Sequence, residues 1–241
     1  MRYELYYWPS APGRGEFVRL ALEEGGADYI DVARESGRGM GVQAIVRWLD
    51  DRKFERPPFA PPFLKAGRLV IGQTANILQY LGPRLSLVPK SVSNRLWAHQ
   101  LQLTIADFVD EIHDVHHPIS ASLYYHEQKK ESRRRSLHLR EERLPKFLGY
   151  FEHVLERNAS SKCYAIGRRV SYVDLSLFQL IDGLRYAFPK AMAGAASEYP
   201  RLCALHDTIE SRARIAAYLA SARRLAFNQD GLFRHYPELD G

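Results

Sequence analysis

The feature that most constrains this chain is a change in its hydrophobic pattern near Pro89. Before this point, short strand-like runs alternate with amphipathic segments and with breaks made of Gly and Pro. After it the pattern is helical, and the clearest apolar stripe recurs every three or four positions: Trp97, Leu101, Ile105, Phe108 and Ile112. The pattern predicts two domains and a linker, which divide the 241 residues into 1–83, 84–92 and 93–241.

The first domain is predicted to be a small mixed sheet with helices. Gly67 lies between the last two predicted strands and favours a tight hairpin there, and Gly82-Pro83 is expected to stop the helix that follows. A βαβ start followed by a hairpin indicates a mixed sheet rather than a doubly wound parallel one. The predicted strands are Tyr3–Tyr7, Tyr29–Val32, Pro62–Leu64 and Leu69–Ile71, and the predicted helices are Gly15–Glu24, Val42–Leu49 and Thr74–Leu81.

The second domain contains a helix that is predicted to lie at the centre of a bundle. Ser171 is followed three residues later by Asp174, which is the capping-box spacing with Asp in place of Glu. From Val173 to Leu184, apolar residues face every side of the helix. A helix of this kind is stable only when other helices surround it.

Composition excludes several classes of function. No run of about 18 apolar residues is present, so neither a membrane-spanning helix nor a membrane partner is expected. The start, Met1-Arg2-Tyr3-Glu4, lacks the apolar core of a secretory signal, which predicts a cytoplasmic protein. The two cysteines, Cys163 and Cys203, are too few for a disulfide framework or a Cys-based zinc site.

The net charge of +6 is unevenly distributed. Beyond residue 83, 23 basic residues oppose 18 acidic ones, so that +5 of the charge lies there. The densest basic run, residues 129–135, has neither interleaved aromatic residues nor a nucleic-acid-binding motif. We interpret this run as a solvated helix face and expect no nucleic-acid partner.

Four segments occur in a distinctive order and spacing: residues 5–9 (LYYWP) with 13–19 (GRGEFVR), Pro61-Pro62-Phe63-Leu64, residues 73–81 (QTANILQYL), and Ser171-x-x-Asp174. Together they resemble the cytosolic glutathione transferases of the tyrosine type, similar to the sigma and pi classes. The resemblance covers nearly the whole chain. It implies an α/β plus all-α fold, in which a thioredoxin-like N-terminal domain with a cis-proline precedes an all-helical C-terminal domain.

The resemblance also implies an enzyme. It would be a glutathione S-transferase that activates the glutathione thiol as a thiolate, for conjugation to or reduction of small hydrophobic electrophiles. A free thiol has a pKa near 8.5, so only about 3% is ionised at pH 7. One hydroxyl donor and one helix N-terminus can lower that pKa by about two units, so no metal is needed. The alternative is a non-catalytic relative that binds ligands or serves as an interaction module.

Tyr7 is the favoured hydroxyl, because it ends the first strand just before the turn into the next helix. By resemblance, it is the residue that donates to the sulfur. Ser10 is the rival, since Ser10-Ala11-Pro12-Gly13-Arg14 is similar to the Ser-x-Pro-x-Arg segment of serine-type relatives. Tyr6 faces the opposite side of the strand. No cysteine lies in this region to support a thiol-exchange enzyme.

Glutathione contacts are implied at several further positions. Gln73 and Thr74 open a helix whose free N–H groups suit the γ-glutamyl carboxylate. Pro61 has no N–H and can offer only its carbonyl to the cysteinyl part. The candidates for the glycyl end are Arg14, Trp48 and Lys53.

A homodimer is implied as well. Asp107 lies 34 positions after Gln73, as does the acid that in tyrosine-type relatives pairs with the γ-glutamyl ammonium of the partner's glutathione. The electrophile pocket is expected between the domains, near four residues: His113, His116, His117 and Tyr124. His113 and His117 are one helical turn apart, but no third ligand is spaced to join them, so no metal is predicted.

Overall fold

The computed structural model describes residues 1–51, 54–161 and 163–241. Its first part is a four-stranded sheet in the order β2-β1-β3-β4, formed by β1 Tyr3–Tyr6, β2 Tyr29–Asp31, β3 Phe63–Ala66 and β4 Leu69–Gly72. β1 runs parallel to β2 and antiparallel to β3, and β3 and β4 form the expected hairpin. The predicted mixed sheet is confirmed.

The described ranges contain ten α-helices. They are α1 Gly15–Glu24, α2 Val42–Asp50, α3 Thr74–Arg84, α4 Val92–His116, α5 Lys129–His138, α6 Leu144–Arg157, α7 Tyr172–Ala187, α8 Ala195–Glu198, α9 Pro200–Glu210 and α10 Ala213–Leu219. The first three accompany the sheet, and the other seven form the helical part of the chain. Each helix in the described ranges is too short or too polar to cross a membrane.

α3 is longer than predicted, because it continues through Gly82-Pro83 to Arg84. A proline in the last turn removes only one hydrogen bond, and the Leu85 N–H still bonds to the Leu81 carbonyl at 2.9 Å. Gly82 does not end the helix; it allows α3 to pack closely against Tyr172. A Cβ there would lie 2.8 Å from the ring of Tyr172.

α7 is the centre of the helical part, as predicted. Every residue from Tyr172 to Ile181 is buried, and α1, α4 and α9 pack against this helix. The capping box at its start is present. The carboxylate of Asp174 accepts hydrogen bonds of 2.7 Å from the N–H and hydroxyl of Ser171 and from the N–H of Ala165.

Replacing Asp174 by alanine should therefore destabilise the fold. Two buried N–H groups, those of Ser171 and Ala165, would lose their acceptors at a cost of about 2–4 kcal/mol, which lowers the melting temperature by roughly 5–10 °C in a chain of this size. Thermal unfolding followed by circular dichroism measures the shift. Asp207→Ala, which removes a largely exposed carboxylate from α9, is the matched control and should change little. Equal melting temperatures for the two variants would contradict the capping role.

A buried cluster of charged groups joins α1 to the helical part. The carboxylate of Glu16 accepts hydrogen bonds from Tyr218 (2.6 Å), Arg224 (2.5 Å) and Arg19 (3.2 Å). Arg19, which has no exposed surface, also donates to Asp31 at 2.7 Å. The cluster thus connects the start of α1 with β2, with α10 and with the segment after α10.

Glu16→Gln should weaken the fold through this cluster. Removing one partner of a buried ion pair costs about 3–5 kcal/mol, because the remaining charges stay buried without compensation. We expect the free energy of unfolding in urea to fall by roughly 3 kcal/mol or more. Glu156→Gln on the exposed side of α6 should change it by about 0.5 kcal/mol at most. Similar losses in both variants would show that the cluster contributes nothing particular.

Candidate active site

Tyr7 follows β1 and lies against the turn into α1. The Arg14 N–H donates a 2.9 Å hydrogen bond to the Tyr7 hydroxyl oxygen. Burial raises the pKa of Tyr7 above its ordinary value, although the Arg14 amide and the charges of Arg14 and Arg19 oppose the effect. The hydroxyl therefore keeps its proton at neutral pH. Since its oxygen already accepts a bond from the chain, that proton is available for donation to another group.

Two glycines allow the Tyr7 ring to lie so close to the turn. A Cβ at Gly13 would lie 2.1 Å from the Tyr7 hydroxyl oxygen, and a Cβ at Gly15 would lie 2.5 Å from the Cγ of the ring. Gly13 also has a φ of +45°, in the region that favours glycine. The Tyr7 ring can therefore occupy this position only because residues 13 and 15 have no side chain.

Ser10 and Tyr6 occupy different surroundings. Ser10 is exposed beside the same cleft as Tyr7, and its carbonyl accepts a 2.7 Å hydrogen bond from the side chain of Asn228. Tyr6 is buried on the other face of β1 and donates to Glu4 at 2.8 Å. Burial, with the Glu4 bond, raises the pKa of Tyr6 to about 12. The Tyr6 hydroxyl is therefore already bonded to Glu4, away from the cleft that Tyr7 and Ser10 both border.

The cleft beside Tyr7 has a volume of about 200 Å³ and is built from three parts of the chain. The turn after β1 supplies Trp8, the C-terminal end of α4 supplies His113, and the C-terminal segment supplies Leu232 and Arg234. Sequence reasoning anticipated the turn and α4. It missed the C-terminal segment, because those residues have neither a periodic pattern nor a motif.

The histidines at the end of α4 have separate roles. His113 lines the cleft, and its ring stacks on that of His117 with centroids 4.9 Å apart. His116 is buried, with its Nε2 2.9 Å from the carbonyl oxygen of Leu232, so it holds the C-terminal segment against α4. Burial lowers the pKa of His116 to about 2, which keeps it neutral. Tyr124 is exposed and is not among the described residues that line the cleft.

A larger cleft of about 310 Å³ lies between the start of α3 and the middle of α4. Gln73, just before α3, has a φ of +68°, and strain of this kind is concentrated at functional sites. The side chain of Gln73 makes no capping hydrogen bond to the N-terminus of α3. Within the described part of the chain, the Thr74 hydroxyl oxygen is buried without a hydrogen-bond partner. Unpaired N–H groups and a free hydroxyl at a helix start suit a carboxylate.

Arg14 borders both clefts. Its guanidinium pairs with Asp110, a carboxylate of α4 that also lines the larger cleft. Asp107 lies one turn earlier on α4, where it is exposed, and is not among the described residues that line that cleft. The acid that faces Arg14 within one subunit is therefore Asp110.

The remaining predicted residues are not all brought together. The Pro61–Pro62 bond is cis, as expected, and it precedes β3. Trp48 lies in a separate aromatic cluster, where its ring stacks on Phe54 with a centroid distance of 4.0 Å. It is not among the described residues that line either cleft. The prediction for Lys53 falls outside the described residues.

In the described ranges, the three side chains close enough to share a metal ion lie elsewhere. They are His206, Asp207 and Glu210 on α9, whose ligand atoms lie within 4.8 Å of one another. The His206 Nδ1 also lies 3.1 Å from the guanidinium of Arg185, a cation that disfavours a second one. This group does not border either cleft.

The chain is similar to known proteins along most of its length. Residues 113–222 match the family model of the glutathione S-transferase C-terminal domain. A glutathione S-transferase of Plasmodium falciparum is 25% identical over 228 residues, which cover 92% of this chain and 97% of that protein. Glutathione S-transferase P 1 of Xenopus laevis is 26% identical over 225 residues, which cover 92% of this chain and 93% of that protein.

A solved structure has the same fold. The pi-class glutathione S-transferase of Onchocerca volvulus superposes with a TM-score of 0.72 at 20% identity, and the match covers 96% of this chain and 99% of that one. The sheet with its cis-proline and the helical part are thus the two parts of a glutathione transferase fold. Residues 113–222 therefore match a glutathione S-transferase C-terminal domain, and the chain as a whole is similar to glutathione S-transferases.

Proposed function

We propose that this chain is a glutathione S-transferase in which Tyr7 holds the glutathione thiol as a thiolate. The observation that carries the proposal is the 2.9 Å hydrogen bond from the Arg14 N–H to the Tyr7 oxygen. This bond polarises the phenolic O–H and leaves its proton for the sulfur. The similarity to relatives named glutathione S-transferase supports the reaction.

The energy that activation requires is modest. Lowering a thiol pKa from about 8.5 by two units takes about 2.7 kcal/mol. A hydrogen bond from Tyr7 to a charged sulfur contributes about 1.5–3 kcal/mol, and the nearby N-terminus of α1 adds about 0.3–1 kcal/mol. The two contributions together reach what is needed without a metal or a general base.

The larger cleft is the place we assign to the γ-glutamyl part of glutathione. The unpaired hydroxyl of Thr74 and the uncapped N-terminus of α3 supply donors for its carboxylate. Arg14 lies between this cleft and Tyr7, so a molecule bound in the larger cleft can extend toward the Tyr7 hydroxyl. Gln73 lines the larger cleft, whereas Pro61 is not among the described residues that line either cleft, and its contact with glutathione stays a prediction.

The smaller cleft is the place we assign to the electrophile. Trp8 and Leu232 give it apolar walls, and Arg14, His113 and Arg234 give it polar ones. A small hydrophobic electrophile with a polar substituent fits this lining. Conjugation and reduction both begin with attack by the same thiolate, so the site serves either reaction.

The setting of this activity is part of the proposal. A homodimer would bring Asp107 of one subunit to the glutathione of the other, and residues 84–92 would link the two domains. The two cysteines are unpaired, which is typical of a reducing compartment. We therefore place the protein in the cytoplasm, with detoxification of electrophiles as its role.

The choice between Tyr7 and Ser10 can be tested directly. The absorbance of the thiolate near 240 nm, followed against pH, reports the pKa of enzyme-bound glutathione. Tyr7→Phe should raise that pKa by about one to two units, since it removes a bond worth about 1.5–3 kcal/mol. Ser10→Ala should leave it within about 0.3 units of wild type.

If Ser10→Ala raises the pKa of the bound thiol and Tyr7→Phe does not, Ser10 is the residue that activates glutathione. If neither change raises the thiol pKa, and the wild type neither binds immobilised glutathione nor turns over 1-chloro-2,4-dinitrobenzene, the chain is the non-catalytic relative instead.

A second test concerns the dimer. Asp107→Asn should weaken glutathione binding at least about tenfold, because a charge-assisted pair is worth about 1.5–3 kcal/mol. Light scattering should show that the variant is still a dimer. Titration calorimetry gives the affinity. Asp207→Asn, at a largely exposed position on α9, is the control and should bind normally. A monomer with full glutathione affinity would contradict the proposed role of Asp107.

A further inference from the structure

A third cleft, separate from the two already described, lies where the segment after α3 meets the loop before α7. Its volume is about 510 Å³, within the range of sites that bind small molecules. Four cationic side chains border it: Lys90, Arg95, Arg168 and Arg169. They come from two stretches more than 70 residues apart in the chain, so folding brings them together.

These four charges have no acidic partner among the described residues. In the described ranges none of them makes an ion pair or a side-chain hydrogen bond, and no described acid lines this cleft. The neighbouring Arg212 shows the contrast, since it pairs with Glu24. Uncompensated like charges around one concave surface create a positive potential that attracts anions.

The floor of the cleft is apolar. Val88 and Val170 are largely buried beneath it, and Pro83 and Pro89 also line it. Ser86 and Asn94 add a hydroxyl and a carboxamide to the wall. A bare inorganic anion would use the cations and leave the floor uncovered, whereas an organic anion would use both.

This cleft is far from Tyr7. It borders the first turn of α4, at Asn94 and Arg95, whereas the cleft beside Tyr7 borders the last turns of the same helix, at His113. The part of α4 between Arg95 and His113 spans about 27 Å at 1.5 Å per residue. No described residue lines both this cleft and either of the two clefts near Tyr7, so the third cleft is a separate place on the molecule.

We infer that this cleft binds a small organic molecule carrying two or more phosphates. The phosphates would be held by Lys90, Arg95, Arg168 and Arg169, and the organic body would rest on the proline and valine floor. Planar, bidentate recognition of phosphate is a particular property of arginine. The inference is independent of the reaction at Tyr7, because it concerns binding at another place.

Titration calorimetry on the full chain at 0.15 M salt tests the inference, with ATP and fructose 1,6-bisphosphate as organic probes and tripolyphosphate as the inorganic one. We expect at least one organic probe to bind more tightly than tripolyphosphate. The double variant Arg168→Gln/Arg169→Gln should weaken that binding at least about tenfold, since it removes two charge-assisted contacts. Saturating glutathione should leave the binding unchanged.

The matched control is Arg133→Gln/Arg134→Gln. It removes the same charge from two adjacent exposed arginines of α5, in the densest basic run of the sequence, and should change the affinity less than about twofold. The inference is overturned if neither organic probe binds, if tripolyphosphate binds as tightly, if both double variants weaken binding equally, or if glutathione displaces the probe. Binding of double-stranded DNA without binding of either organic probe would also overturn it.

Discussion

The buried carboxylate of Glu16 is the interaction on which the rest of the structure depends. A carboxylate without exposed surface is tolerated only where donors surround it, and here Tyr218, Arg224 and Arg19 supply them. Two of these donors lie 202 and 208 positions further along the chain. α1 therefore cannot take its place beside the sheet unless α10 and the segment after it fold against α1. The first part of the chain supplies Glu16, Arg19 and Asp31 and the helical part supplies Tyr218 and Arg224, so the cluster is complete only when both parts are folded.

The same cluster determines the geometry beside Tyr7. Arg19 donates to the Pro12 carbonyl at 3.2 Å, and its guanidinium lies 5.7 Å from the centroid of the Tyr7 ring. Pro12 precedes Gly13 and Arg14, the residues that receive the ring and bond to its oxygen. The orientation of the Arg14 N–H is thus supported by the buried ion pairs of Arg19 with Glu16 and Asp31. A group that must meet a sulfur within a few tenths of an ångström gains from such rigid support.

The local sequence pattern was enough to predict most helices and strands. It was not enough where contacts between residues far apart in the chain determine the structure. The bounds of α1 were predicted to the residue and the cap at Ser171 was recognised, since both depend on neighbours within four positions. Gly82 was misread as a stop, because its role depends on the ring of Tyr172, 90 positions away. The candidate site divides in the same way. The turn containing Tyr7 carries a motif, whereas Leu232 is held at the cleft by distant residues, among them the buried His116 that contacts its carbonyl oxygen.

The distribution of charge follows from what each end of α4 has to do. Near Tyr7, Arg14 is paired with Asp110, burial lowers the pKa of His113 and of His116, and Arg234 donates to the Gly231 carbonyl. At the other end of the helix, Lys90 and Arg168 carry full charges without partners among the described residues. The part of α4 between Arg95 and His113, about 27 Å long, is about three times the Debye length of about 8 Å at physiological salt. The positive cleft therefore has no appreciable influence on the thiol near Tyr7, and the two ends of α4 can serve different ligands without interfering.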